Sequence, residues 1–223
     1  MPDEVFGEVF VPPVSDGSGR DRRMLQKASE LFAEAGFERR GDGLYTPQGE
    51  AFTIEFLDDD PSFEPHHNAY IAGLALLGVR ASYRVVDAAQ FNDRLKRFDF
   101  DMTVSRFSGV LYPDEGIKTF FASERAAEPG SYNLAGIADP AVDQLHDKVI
   151  RSEDWDSFVI ASRALDRVLR SLHFWVPQWN KPTHWLAYWD MFEKPPTKPL
   201  YDTGVLDTWW FDPEKAARIG RTG

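Results

Sequence analysis

The sequence predicts an α/β fold: a largely parallel sheet flanked by helices. Three observations carry that expectation. Apolar alternation over residues 51–57, 79–86 and 98–104 reads as strands. Apolar residues at helical spacing fill the intervals 63–77 and 88–97. The connections between them are short, and strand–helix–strand–helix–strand in that form implies right-handed crossovers onto a parallel sheet.

Residues 1–19 are extended in character, with Pro12-Pro13 and the turn cluster Asp16-Gly17-Ser18-Gly19. They are expected to lie across another surface. A helix is expected over 20–35, where Met24, Leu25, Ala28, Leu31, Phe32 and Ala35 share a face and Gly36 is placed to cap it. Gly41-Asp42-Gly43 and Pro47-Gln48-Gly49 bracket a small hairpin. Asp58-Asp59-Asp60-Pro61 ends the strand 51–57. The helix 63–77 carries Tyr70, Ile71, Leu74 and Leu77 on one side and Gly78 as its cap. Asp87 is a suitable N-cap for the helix 88–97, which carries Phe91 and Leu95.

The next strand is the centre of the expected fold. Phe98, Phe100, Met102 and Val104 alternate on one apolar face before Ser108-Gly109 turns the chain. Open α/β sheets place ligands where a buried strand ends in such a loop. The following Val110-Leu111-Tyr112-Pro113-Asp114 suits a cleft wall, although an ordinary core strand and loop would also read this way. Beyond it come a short helix over 113–122 and a turn at Glu128-Pro129-Gly130. Asp139-Pro140 opens a helix reaching 151, by cap and then proline at the first turn. A long helix is expected over 155–172 and a strand over 183–189. Pro195, Pro196 and Pro199 precede a tail with Trp209-Trp210 and a short helix from Pro213.

The totals exclude several classes. With 223 residues the chain can bury about 70% of its unfolded surface, so it needs no covalent staple. Cysteine is absent, which removes disulfides, thiolate catalysis and Cys-ligated metals. A net charge of −11 argues against nucleic acid, which needs a clustered basic face. No apolar run reaches the ~18–20 residues of a membrane span. The first ten residues, MPDEVFGEVF, have neither the basic nor the apolar region of a secretory leader.

Catalytic motifs are missing too. There is no G-x-S-x-G, P-loop or G-x-G-x-x-G. Asp99 and Asp101 flank the central strand on one face, where a solvent-facing or loop-anchoring role is the simpler one. Asp58-Asp59-Asp60 could hold a hard cation, but a solvated turn that caps the next helix is the simpler reading. His66 and His67 are adjacent and so diverge on a helix, unlike the i, i+4 pair of zinc-binding helices. His146, His173 and His184 lack ligand-spaced partners and read as surface or core histidines. No cofactor or metal is expected. Of the aromatic set Phe107, Tyr112, Trp175, Trp179, Trp185 and Trp189, the residues Trp175, Trp185 and Trp189 are expected to fill the core, while Phe107 and Trp179, at strand–loop junctions, are open between pocket and core.

Several longer words narrow the field: NLAGIADPAVD at 133–143, VPP at 11–13, DGSG at 16–19, DDPSFE at 59–64 and FDFDMT at 98–103. RALDRVL at 163–169, VPQW at 176–179, AYWD at 187–190 and DTWW at 207–210 continue the series. On these words, which run nearly the length of the chain, the sequence resembles the family 5 extracellular solute-binding proteins. These are the peptide- and nickel-binding receptors of ABC importers, and the likeness is to their microcin C and oligopeptide-binding branch.

The resemblance implies a type II periplasmic-binding-protein lobe, a mixed, mostly parallel sheet flanked by helices. It implies the C-terminal portion of a two-lobed receptor, with residues 1–196 as second lobe. Residues 197–223 would be a tail that crosses to a missing N-terminal lobe, leaving Trp209 and Trp210 to expose apolar surface and promote self-association. It implies a periplasmic protein whose signal peptide lies ahead of the missing lobe, a peptide or peptide-like ligand, an ABC permease as partner, and binding without chemistry. By position it implies a cleft lined by Phe107, Ser108, Gly109, Asn133, Gln178, Trp179 and Asn180. Peptide-binding relatives carry an acidic residue for the peptide amino group three places after the Phe107 position. Here that place is Val110, which offers no charge-assisted bond. The alternative function is a standalone interaction or scaffold module derived from such a lobe, without transport.

Overall fold

The computed structural model describes residue 8 and residues 10–107, 114–200 and 204–221. It divides into two compact units, Met1–Trp175 and Val176–Gly223. The division falls earlier in the chain than the 196/197 boundary expected between lobe and tail.

In the first unit Asp21 caps helix α1 (Arg22–Glu34) by accepting from the N–H groups of Arg23 and Met24. Phe32 of α1 meets Phe37 and Phe52 at ring separations of 5.4 and 6.0 Å. The expected hairpin is present, strand β1 (Glu38–Arg40) pairing antiparallel with β2 (Gly43–Tyr45). Gly78 lets the hairpin dock: its carbonyl accepts from Leu44 N–H at 2.7 Å. A Cβ on Gly78 would come within 2.9 Å of Leu44 N, and its φ of +86° is a second reason for glycine.

The sheet is the parallel one expected. Strand β3 (Thr53–Asp58) is central, with β4 (Arg80–Val85) on one side and β5 (Met102–Thr103) on the other. Helices α2 (Glu64–Leu76) and α3 (Ala88–Lys96) make the crossovers. Phe56 and Leu57 of β3 are buried, as a central strand requires.

The third strand is much shorter than its alternation predicts. Phe98 is not in it. With φ +55° it closes α3, its N–H bonded to Leu95 O at 3.1 Å and the next N–H, of Asp99, to Arg94 O at 2.9 Å. That is the paired bonding by which helices end in a left-handed residue, a position usually given to glycine. Asp101 then replaces a ladder bond with its side chain, Oδ2 accepting from Glu55 N–H at 2.8 Å. Asp101 thus anchors a loop, and Asp99 binds Arg94 at 3.0 Å.

The rest of the first unit is helical. Helix α4 (Lys118–Phe121) follows a 3-10 turn over Glu115–Ile117, and α5 (Pro140–Ile150) starts at the expected Asp139 cap. Helix α6 (Trp155–Ser171) opens with a reciprocal Asp154–Ser157 capping box. Phe121, Ile137, Val142, Val149, Ala161, Leu165 and Val168 form their common core.

The second unit contains a two-stranded antiparallel ladder, β6 (Phe192–Glu193) with β7 (Trp210–Phe211), and helices α7 (Val205–Thr208) and α8 (Pro213–Arg218). Lys215 ties α8 to the ladder, reaching Glu193 at 2.9 Å and Phe192 O at 3.2 Å. The strand expected over 183–189 is not formed. A strand needs a neighbour to pair its backbone, and no ladder includes these residues among those described.

Candidate functional site

The carboxyl edge of the β4–β3–β5 sheet gathers the chemistry. The chain leaves β3 for β4 on one side, then returns across β3 to β5 on the other, so its winding reverses beside β3. In open α/β sheets that reversal leaves a crevice beyond the carboxyl ends of the strands. Two segments meet it here: Asp58-Asp59-Asp60 from β3, and Val104 to Phe107 continuing β5.

Asp58 is 4% exposed and fully engaged. Its Oδ1 accepts from the N–H groups of Asp59 and Asp60 at 2.9 and 3.1 Å, and its Oδ2 accepts from Tyr83 Oη at 2.8 Å. Burial, and then this bond to the carboxylate, push the Tyr83 phenol well above its ordinary range. Asp60 caps the following 3-10 turn over Pro61–Phe63, as expected of this run, although buried Asp58 departs from the solvated turn expected, and the hydrogen bonds of Asp60 from Ser62 hold its carboxyl below the usual value.

The same scaffold positions Phe63. The His67 ring stacks on Tyr83 at 4.9 Å and 15°, and its Nδ1 donates to Phe63 O at 3.0 Å. His67 is therefore buried structure, not one of a histidine pair facing a metal. The guanidinium of Arg106 lies over the Phe63 ring, 5.3 Å from its centre. Arg106 escapes a reading of the sequence. Its one signal is a charged residue between a buried strand and a small-residue turn.

Phe107, the next residue, joins a different group. Its ring meets Trp175 at 4.9 Å edge-on, Phe120 at 5.4 Å and Phe121 at 5.8 Å, while 43% of it stays exposed. Trp175 stacks on Phe174 at 5.1 Å and, contrary to the core position expected of it, is itself 46% exposed. The outcome is a rigid aromatic platform with one wet face, backed by the α4–α6 core. Such faces suit apolar side chains or stacked rings.

The other expected residues are dispersed. Ser108, Gly109, Val110 and Tyr112 lie outside the described residues. Asn133 needs correction: it is 0% exposed and serves as a loop clamp. Its Nδ2 donates to Ala122 O at 3.1 Å and Ile137 O at 2.8 Å, and its Oδ1 accepts from Ile137 N–H at 2.9 Å. No polar atom of its side chain remains for a ligand. Gln178, Trp179 and Asn180 are exposed and belong to the second unit. In that unit Trp209 packs edge-on against Tyr188 at 4.7 Å and Trp210 is half exposed. Trp185 and Trp189, expected in the core, are instead 80% and 56% exposed, with Lys181 over the Trp185 ring at 4.7 Å and Arg221 over the Trp189 ring at 3.5 Å.

Comparison with known proteins gives this geometry a context. The profile of the bacterial extracellular solute-binding proteins, family 5 Middle, matches residues 4–128. The "Probable peptide-binding protein YejA" of Agrobacterium fabrum is 37% identical over 211 residues, covering 94% of this chain and 34% of that protein. The "Peptidoglycan-binding protein YepA" of the same organism is 30% identical, again over 94% of this chain and 34% of its own length. The chain thus spans about a third of these relatives. Among solved structures, the oligopeptide-binding protein AppA of Bacillus subtilis, in complex with a nonapeptide, superposes with a TM-score of 0.61 at 18% identity. That match covers 83% of this chain and 37% of AppA. At such identity the likeness establishes the fold, which is the type II periplasmic-binding-protein architecture expected.

Proposed function

The chain belongs to the family 5 bacterial extracellular solute-binding proteins, a family of receptors rather than enzymes, and from that premise we propose that it is part of the periplasmic receptor of an ABC importer that captures a peptide or peptide-like solute. The observation that carries the reading is the exposed Phe107–Trp175 platform at the carboxyl edge of the sheet. An apolar side chain of a peptide would pack there. The names of YejA and YepA, a peptide-binding and a peptidoglycan-binding protein, support the same ligand class.

Capture in such a receptor is closure of one lobe on another around the ligand, a shift in an open–closed population. On this reading the present chain supplies the second lobe, and a first lobe supplies the facing contacts and receives the tail with Trp209 and Trp210. The ABC permease then takes the loaded receptor. Ser108, Gly109, Gln178, Trp179 and Asn180 belong to this proposal as cleft residues.

A thermal melt of the 223-residue chain tests it, run against defined tri- to nonapeptides and a peptidoglycan stem peptide, with and without a separately supplied first lobe from a full-length relative. The expected result is a saturable rise in Tm, larger with both lobes present. No shift with any peptide in either arrangement would overturn the proposal and favour an interaction module.

A further inference from the structure

We infer that Arg106 is the carboxylate receptor of this edge: its guanidinium takes a carboxylate of the ligand while an apolar neighbour on the ligand packs on Phe107. The inference rests on the peptide-capture reading above and narrows it to ligands that carry a free carboxylate next to an apolar group.

Four observations meet at this residue. Arg106 follows β5 at the reversal of winding, the place where open α/β sheets form their crevice. Its guanidinium is held over the Phe63 ring at 5.3 Å, a contact that orients the planar fork while leaving its N–H groups free to donate. Phe63 is itself fixed, through His67 Nδ1 at 3.0 Å and the stack of His67 on Tyr83 at 4.9 Å. The fork is therefore preorganised, which lowers the ordering cost of binding.

Among the described residues the Arg106 guanidinium makes neither an ion pair nor a hydrogen bond. Arg94, in the same unit, shows the contrasting structural use: it bridges Glu55 at 2.7 Å and Asp99 at 3.0 Å. Arg106 also feels the Asp60 carboxylate, whose Oδ1 already accepts from Ser62 N–H at 2.9 Å.

The acidic surroundings set the ligand class. In a chain of net charge −11, with Asp58-Asp59-Asp60 at the same edge, a small bare anion is repelled. A carboxylate joined to an apolar body gains at Phe107 what it loses to that field. Two forks, guanidinium and carboxylate, then meet through parallel N–H···O bonds. A terminal carboxylate and an acidic side chain share this chemistry.

The test uses the whole chain and three probes read by tryptophan fluorescence: Ala-Phe-Ala as free acid, Ala-Phe-Ala amide, and Ala-Phe-Glu amide. The free acid is expected to bind about ten- to a hundredfold more tightly than its amide. Ala-Phe-Glu amide recovers that margin if the side-chain carboxylate is the group received, and does not if the terminal one is. Arg106→Gln should bring all three to the level of the Ala-Phe-Ala amide, and Arg106→Lys should restore part of the difference. Because Arg106 is exposed and outside every helix and strand, both variants should keep the wild-type melt. Equal binding of the three probes by the wild type, or equal weakening of all three by Arg106→Gln, would overturn the inference and leave peptide capture standing.

If no peptide binds, the peptide reading fails and a second measurement decides Arg106 alone. In 15N spectra the Arg106 Nε–H signal, identified by its loss in Arg106→Lys, should shift with 3-phenylpropanoate and not with 3-phenylpropanamide. An unmoved signal would overturn the inference as well.

Discussion

Tyr83 Oη donates to Asp58 Oδ2 across 2.8 Å, joining β4 to the end of β3 beneath the carboxyl edge of the sheet. That bond stands at the base of a series, Asp58 to Tyr83 to His67 to Phe63 to Arg106, in which each group positions the next. Removing the phenol oxygen leaves a buried carboxylate one donor short. Tyr83→Phe should lower unfolding stability by about 1–3 kcal/mol in urea titration.

The same phenol gives an alkaline signature. Its folded-state pKa lies above the ordinary value of 10, so the stabilisation is complete below pH 10 and is lost as pH rises toward the folded value. Wild-type stability should therefore fall more steeply above pH 10 than that of Tyr83→Phe. Parallel curves would remove Tyr83 as the cause.

Acid behaviour is assigned to His146. It is 0% exposed in α5, and among the described residues neither ring nitrogen has a hydrogen-bond partner. Burial outweighs the nearby Asp143 and Asp147 carboxylates and depresses its pKa below 6.5, with the Lys118 ammonium adding in the same direction. Folding then disfavours the protonated ring, so stability present above pH 6.5 is lost as pH falls through the folded pKa. Urea midpoints at pH 7.5 and 5.5 should separate less in His146→Leu than in the wild type.

Asn133→Ala should cost about 3 kcal/mol or more, since three backbone groups of a buried loop lose their partner together. Ligand affinity of the folded fraction should stay at the wild-type level. A selective loss of affinity with unchanged stability would return Asn133 to the cleft.

At Phe98 the comparison of two small residues is informative. In a strand glycine is worse than alanine, but at φ +55° the order reverses. Phe98→Gly should exceed Phe98→Ala in stability by about 1 kcal/mol. The opposite order would put Phe98 back in an extended conformation.

Phe107→Ala should weaken binding of Ala-Phe-Ala by about tenfold through loss of ring contact, at a stability cost of about 1–2 kcal/mol. Comparable losses for a peptide without any apolar side chain would argue against the platform as the recognising surface.

What the sequence by itself determined is local or repetitive. The helices over 22–34, 64–76, 88–96, 140–150 and 155–171 follow from apolar spacing, with Asp87 and Asp139 as caps, signals contained within a few residues. The parallel sheet follows from the alternation of strand and helix, and family membership from words spread along the chain. Only the tertiary structure decided which polar groups are consumed and which are left over. Phe98 to Val104 alternates like a full strand, yet a helix ending at Phe98 and the Asp101 carboxylate on Glu55 N–H leave it two residues of ladder. Asn133 is polar in a loop and reads as a cleft residue, but the carbonyls that claim it come from Ala122 and Ile137 after folding. Arg106 is one arginine among many until Phe63, 43 positions earlier in the chain, supplies the ring beneath it. Hydrogen bonds and ring contacts between distant residues depend on where the backbone brings them, and no local periodicity encodes that placement.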